Sequence, residues 1–154
     1  MHTINHTATT ILPAPAHIVW QHLFAELNGT STWWHPHNTF RPGPTPPDQL
    51  GGTTHVTVHT NGVNKPGPKI HFTATTTHIT PDTHYAASHT GHFHGHTTIH
   101  LTPQHNNTQT HLAYTFTATP HGWPHLLPIG TVHANHTTAT NTALTNLHRQ
   151  LAAH

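Results

Sequence analysis

Hydrophobic and polar positions change period several times along the chain, and each change marks an element. Residues 4–11 alternate, with Ile4, His6, Ala8 and Thr10 on one face and Asn5, Thr7, Thr9 and Ile11 on the other, which predicts a Thr-rich strand. Leu12-Pro13-Ala14-Pro15 ends it. From Ala14 the apolar residues Ile18, Val19, Leu23, Phe24 and Leu27 fall at helical spacing, with Trp20 alongside, until Asn28-Gly29 stops the stripe. A second short helix is expected from Thr30 or Ser31, either of which can cap it, carrying Trp33-Trp34 and ending at His35-Pro36. The proline-rich stretch from Arg41 to Asp48 has no period and reads as a loop, as does Lys65-Pro66-Gly67-Pro68. Strand-like runs then cover 53–60, 70–80, 84–89, 95–102 and 110–119, with turns at Pro81-Asp82 and His105-Asn106-Asn107. From about Pro128 to the end, Val132, His136, Ala139, Ala143, Leu144, Leu147 and Leu151 mark one long amphipathic helix.

Strand, two short helices, a meander of strands and a long final helix make an α+β order, so the sheet, of about seven strands, is expected to be antiparallel. Its apolar face needs a cover, and the remaining apolar stripe is that of the C-terminal helix. The 154 residues suffice for a single domain spanning 1–154 with a substantial core.

Composition changes how the surface is read. Only 5% of residues are Asp, Glu, Lys or Arg, against about a quarter in an average soluble domain, while 24 are histidine. The formal charge of +1 and the lack of any Lys/Arg run leave no electrostatic footprint for nucleic acid at neutral pH. Complete protonation of the histidines would add 24 charges to that +1, so a polycation is expected in acid. Without cysteine there are no disulfides, thiolate metal sites or cysteine nucleophiles. No apolar run approaches a membrane span and the N-terminus lacks signal-peptide character, so the expected location is cytoplasmic. Asn-x-Thr triplets begin at Asn5, Asn28, Asn106 and Asn135, a frequency that threonine richness alone explains.

Several segments carry a family resemblance. The opening Thr10-Ile11-Leu12-Pro13-Ala14-Pro15-Ala16-His17-Ile18-Val19-Trp20, the Trp33-Trp34-His35-Pro36 segment and Ile79-Thr80-Pro81-Asp82-Thr83-His84-Tyr85 resemble, in that order, motifs of the START-like SRPBCC superfamily, the polyketide cyclase/dehydrase and lipid-transport group. Leu101-Thr102-Pro103 with Thr108-Gln109-Thr110, and the ending from Ala143 to Leu151, continue the resemblance over nearly the whole chain. It implies a helix-grip fold, a curved antiparallel sheet wrapped around the C-terminal helix with an apolar cavity between them. The chain departs from the family where Arg, Asp, Glu or Lys are usual and His, Thr, Asn or Gln stand instead, so no charged catalytic residue is carried over.

The histidines divide by face. His92, His94, His96 and His100 share one side of a strand whose other side carries Phe93, Ile99 and Leu101. His55 and His59 stand likewise opposite Val56 and Val58. They occupy positions where charges normally sit, and a single-strand set such as His92, His94 and His96 offers weak surface chelation rather than a closed metal site. Zinc-hydrolase and nucleophile-elbow motifs are missing, and the three carboxylates, Glu26, Asp48 and Asp82, form no catalytic pair in sequence. No cofactor is implied.

The cavity that the resemblance implies is expected to gather Val56, Val58, Ile70, Phe72, Tyr85, Ile99, Leu112, Tyr114 and Phe116 from the sheet, with Val132, His136, Ala139, Ala143 and Leu147 from the helix. Trp33, Trp34 and His35 should lie near its mouth, either contacting ligand or packing structurally. Tyr114 is either a core tyrosine bonded to backbone or water, or an anchor for a ligand's polar group. His136 is either at the edge of the helical stripe with its ring in water, or a hydrogen-bonding group in the cavity. The leading expectation is a domain that binds a small, largely apolar ligand (lipid, polyketide or aromatic) without chemistry. A polyketide cyclase/dehydrase in which Tyr114 or His136 moves a proton is the second. A metal-binding or pH-responsive protein that uses its histidines directly is the third.

Overall fold

The computed structural model describes residues 3–153; Met1, His2 and His154 lie outside the described residues. Among these, the elements in chain order are β1 (Ile4–Leu12), α1 (Ala16–Leu27), β2 (Asn38–Pro42), β3 (Thr53–His59), β4 (Lys69–Thr80), β5 (His84–Gly91), β6 (Phe93–Gln104), β7 (Gln109–Pro120) and α2 (Ile129–Ala152), with a 3-10 turn at Trp123–Leu126 before α2. The strands form one antiparallel sheet in the order β1-β7-β6-β5-β4-β3-β2. It curls around α2, the helix-grip arrangement. Among the described residues, no helix is long and apolar enough to cross a membrane.

Alternation sets the inner face. In β7, Thr110, Leu112, Tyr114, Phe116, Ala118 and Pro120 are all buried and their neighbours are not. Tyr85, Ala87 and His89 do the same in β5. Against this face α2 lays Val132, Ala139, Ala143, Leu147 and Leu151. Leu147 has no exposed surface, and Leu147→Ala is expected to cost about 2–5 kcal/mol of stability by leaving a void under the helix. A denaturant midpoint unchanged from the parent would contradict that placement. The bend of the sheet needs glycine at Gly95, where φ is +151° and an added Cβ would lie 1.9 Å from the Thr117 carbonyl oxygen of β7.

Two expectations are corrected. The second short helix does not form: residues 33–37 are turns, with His35 N–H donating to Thr32 O and His37 and Asn38 N–H to Trp34 O. The cause is Glu26, whose carboxylate takes the backbone N–H groups of Trp33 (3.0 Å) and Trp34 (2.8 Å) and holds the chain as a clasp. Pro36, which follows a cis peptide bond, has no N–H with which to continue a helix. The stretch expected to be loop from Arg41 instead opens inside a strand, because Asn38–Pro42 pairs with β3, from Asn38 opposite Val58 to Pro42 opposite Thr54. As an edge strand, β2 tolerates its terminal proline.

The outer face holds hydroxyls and imidazoles in cross-strand pairs. Thr7 meets Thr115 at 3.5 Å and His84 stacks on His100 with centroids 4.0 Å apart, while His94 of β6 stacks at 3.8 Å on His121, just past the end of β7. At the β6–β7 tip, His105, Asn106 and Asn107 all take left-handed backbone conformations. This presents the Asn107 side-chain oxygen Oδ1 to the backbone N–H of Ala16 at 3.1 Å, capping α1.

Candidate functional site

A cavity of about 210 Å³ lies between the sheet and α2. Its walls include Val56, Ile70, Phe72, Ile99, Leu112 and Phe116 from the sheet, Val132, Ala139 and Leu144 from α2, and Leu23 and Leu27 from α1. Of the residues singled out in the sequence, Trp33, Trp34, Phe72, Tyr85, Tyr114, Phe116, Val132, His136 and Ala139 line this space. His35 and Ala143 do not. His35 belongs to the clasp behind the wall, where its carbonyl accepts from Asn146 Nδ2, and Ala143 is fully buried where α2 meets the core. Leu147, also expected at the cavity, is likewise core.

The indoles are positioned from three directions. Besides the Glu26 carboxylate, Trp33 Nε1 donates to His22 O and Asn146 Nδ2 donates to Trp33 O. Trp34 packs on Phe40 and Tyr114, with centroids 6.2 Å apart in each case. Glu26 is 1% exposed. Burial raises its pKa, opposed by the Trp34 and Trp33 N–H groups, the charge of His35 and the Ser31 hydroxyl.

Four polar side chains give the apolar cavity its chemistry. His136 stacks on Phe116 with centroids 4.1 Å apart and an interplanar angle of 24°, and lies 6.2 Å from the Tyr114 ring. It thus takes the cavity position rather than a solvated one. The Thr140 hydroxyl lies 2.8 Å from His136 O and 3.3 Å from Nε2; assigning its hydrogen to the nearer carbonyl places the imidazole hydrogen on Nε2. Nδ1 then keeps a free lone pair. Burial first, then the nearby charges of His6, His133 and His89, push the His136 pKa down to about 3. His89 was not singled out in the sequence, although its alternation with Tyr85 and Ala87 places it inside. Its Nε2 contacts Thr97 Oγ1 at 2.8 Å, its Nδ1 is buried with no partner, and burial ahead of the charge of His96 lowers its pKa to about 4. It packs on the opposite end of the same aromatic group, 4.9 Å from Phe72 and 5.1 Å from Phe116.

The two tyrosines differ. The Tyr85 hydroxyl is sealed in beside the Thr76 side chain, and burial, opposed by Thr76, pushes its pKa up to about 12. The Tyr114 phenol also makes no hydrogen bond among the described residues, but its oxygen is not sealed off and its ring borders the cavity. Burial and the adjacent Tyr85 raise its pKa strongly.

The surface histidines stay apart from this site. His94 and His96 point outward from β6, while His92 Nδ1 accepts the His71 backbone N–H at 3.0 Å. Among the described residues, no three His, Cys, Asp or Glu side chains converge as metal ligands.

The architecture has solved counterparts. The chain is similar to a START superfamily protein from Mycobacterium smegmatis (11% identity, 97% of each chain covered, TM-score 0.73). It is also similar to the Zhui aromatase/cyclase from Streptomyces sp. R1128 (15% identity, 98% of this chain and 94% of that one, TM-score 0.72). A third counterpart, from Thermus thermophilus, has 15% identity, 97% coverage of both chains and a TM-score of 0.74. At such identities the likeness speaks to the fold. No curated protein sequence matches the chain. At the level of sequence families, residues 3–152 match the group described as polyketide cyclase / dehydrase and lipid transport. The curled sheet, the gripped helix, the space between them and this match over nearly the whole length agree, and the chain belongs to that family.

Proposed function

We propose that the protein binds a small, largely apolar ligand in the cavity between the sheet and α2. The observation that carries this reading is an interior space whose wall is predominantly aliphatic and aromatic, with polar side chains such as Asn38, His59, Asn135 and Thr140 interspersed at its border. The family description, which joins lipid transport to cyclase and dehydrase activities, is consistent with such a space.

A cyclase or dehydrase would ask Tyr114 or His136 to move a proton. General acid–base catalysis works best with groups whose pKa lies near the operating pH. Here the imidazole is pushed down to about 3 and the phenol is pushed up, so each resists the change of protonation that catalysis needs. Binding without chemistry is therefore the favoured reading.

Native mass spectrometry of the purified protein tests it: a bound small molecule, released by denaturation and matched by mass, is the expected result. A chain that carries no such molecule and takes up no apolar probe would overturn the reading. Turnover of a poly-β-ketone that disappears in both Tyr114→Phe and His136→Ala, with folding intact, would establish the cyclase reading in its place.

A further inference from the structure

We infer that the ligand is a compact, uncharged molecule carrying a hydroxyl group, whose oxygen accepts from Tyr114 and whose hydrogen is donated to His136. The inference rests on the proposed cavity binding and narrows it to a chemical class.

Size is the first restriction. About 210 Å³ is below the ~300–1,000 Å³ of pockets that hold drug-sized ligands, so one or two rings fit and an extended acyl or polyketide chain does not. The lining supports rings: Trp34, Phe72, Tyr114 and Phe116 surround the space, with His89 and His136 packed against Phe116.

Charge is the second. No Lys or Arg lines the cavity, and its one carboxylate, Glu26, is already committed to two backbone N–H groups. The titratable groups facing His136 are His6 of β1, His133 of its own helix, His89 of β5 and Tyr114 of β7. None is a lysine or arginine, the side chains that carry a fixed positive charge. A carboxylate or phosphate entering this space would lose its water with no cation to meet it, a large penalty. A cationic ligand would likewise find its potential partner, Glu26, occupied.

Hydrogen bonding is the third. Tyr114 has a hydroxyl with no partner among the described residues, free to donate. With the Thr140 hydroxyl donating to the nearer His136 O, the hydrogen of His136 is assigned to Nε2, which leaves Nδ1 as an acceptor. Buried polar groups are normally satisfied, and these two ask for complementary partners. A hydroxyl is the smallest group that both accepts and donates. A ketone would satisfy Tyr114 alone, and a hydrocarbon neither.

Titration calorimetry at pH 7.5 with 1-naphthol, naphthalene and 1-naphthoate tests the inference on matched ring systems. 1-Naphthol is expected to bind about tenfold or more tightly than naphthalene, the scale of one well-made hydrogen bond, and 1-naphthoate more weakly than either. Tyr114→Phe, which removes a phenol that has no partner among the described residues and leaves the ring, is expected to cut the preference for naphthol over naphthalene severalfold. Naphthalene binding as tightly as naphthol, a preference that survives Tyr114→Phe, or naphthoate binding best would each overturn the hydroxyl assignment while leaving cavity binding in place. Failure of all three probes to bind would overturn the cavity reading and the ligand class with it.

Discussion

Lowering the pH from 6.5 towards 4 is expected to unfold the protein in one steep transition. Six histidines, His6, His55, His59, His84, His89 and His136, have pKa values below the ordinary 6.5, with burial the first cause in each. The unfolded chain protonates near 6.5 and the folded one resists, so stability is full above 6.5 and falls as the pH drops towards the folded values, about 4 for His89 and about 3 for His136. Each strongly shifted group removes about 1 kcal/mol per pH unit. Over two units His89 and His136 together remove roughly 4 kcal/mol, close to the low end of the whole stability of a typical domain. Glu26 runs the other way. Its raised pKa means that its contribution is present below the unfolded value of 4.5 and is lost as pH rises through the folded value, so it offsets part of the loss. One group against six does not reverse the sign. Circular dichroism across this range is the check, with His89→Leu and His136→Leu together expected to move the midpoint to lower pH. Native ellipticity persisting at pH 4 in the parent would show that the two imidazoles do not control the transition.

Replacing Glu26 has the next largest expected effect. Glu26→Ala leaves the Trp33 and Trp34 N–H groups buried without an acceptor, at about 1–3 kcal/mol each, and empties the space under the clasp. A loss of about 3–5 kcal/mol is expected, with Glu26→Gln intermediate because its single carbonyl oxygen can serve one N–H. Because the clasp carries both indoles of the cavity wall, tryptophan emission should shift to the red at denaturant concentrations where the sheet is intact. Wild-type stability in Glu26→Ala would mean that the carboxylate does not hold this segment.

How far the sequence could be read follows from these same residues. Tyr114 and His136 lie on regular elements, where period alone decides which way a side chain faces, and both were located from alternation or helical spacing. His89 was equally legible from its spacing to Tyr85 and Ala87, but so many histidines on outward positions concealed the one that alternates inward. The clasp was not legible by period. It depends on a carboxylate reaching backbone N–H groups seven and eight residues ahead, so the run from Thr30 or Ser31 through Trp33-Trp34 resembles the start of a helix although its N–H groups are committed elsewhere. The strand Asn38–Pro42 was lost for a related reason: only Asn38-Thr39-Phe40 precedes Arg41-Pro42, too little alternation to stand against four nearby prolines. Ala143 and Leu147 show the remaining limit, since a helical stripe identifies buried positions without separating those that pack from those that border a void.

The cap on α1 couples parts of the chain that are far apart. Pro15 offers no side-chain cap, and the oxygen that meets the Ala16 N–H comes from Asn107, 91 residues later in the chain. The first turn of α1 therefore gains its cap only when the β6–β7 hairpin has closed and its tip has reached the helix. The hairpin closes on contacts local in the chain, whereas this cap is a long-range contact, so the stability of the first turn of α1 is tied to the integrity of the β6–β7 tip.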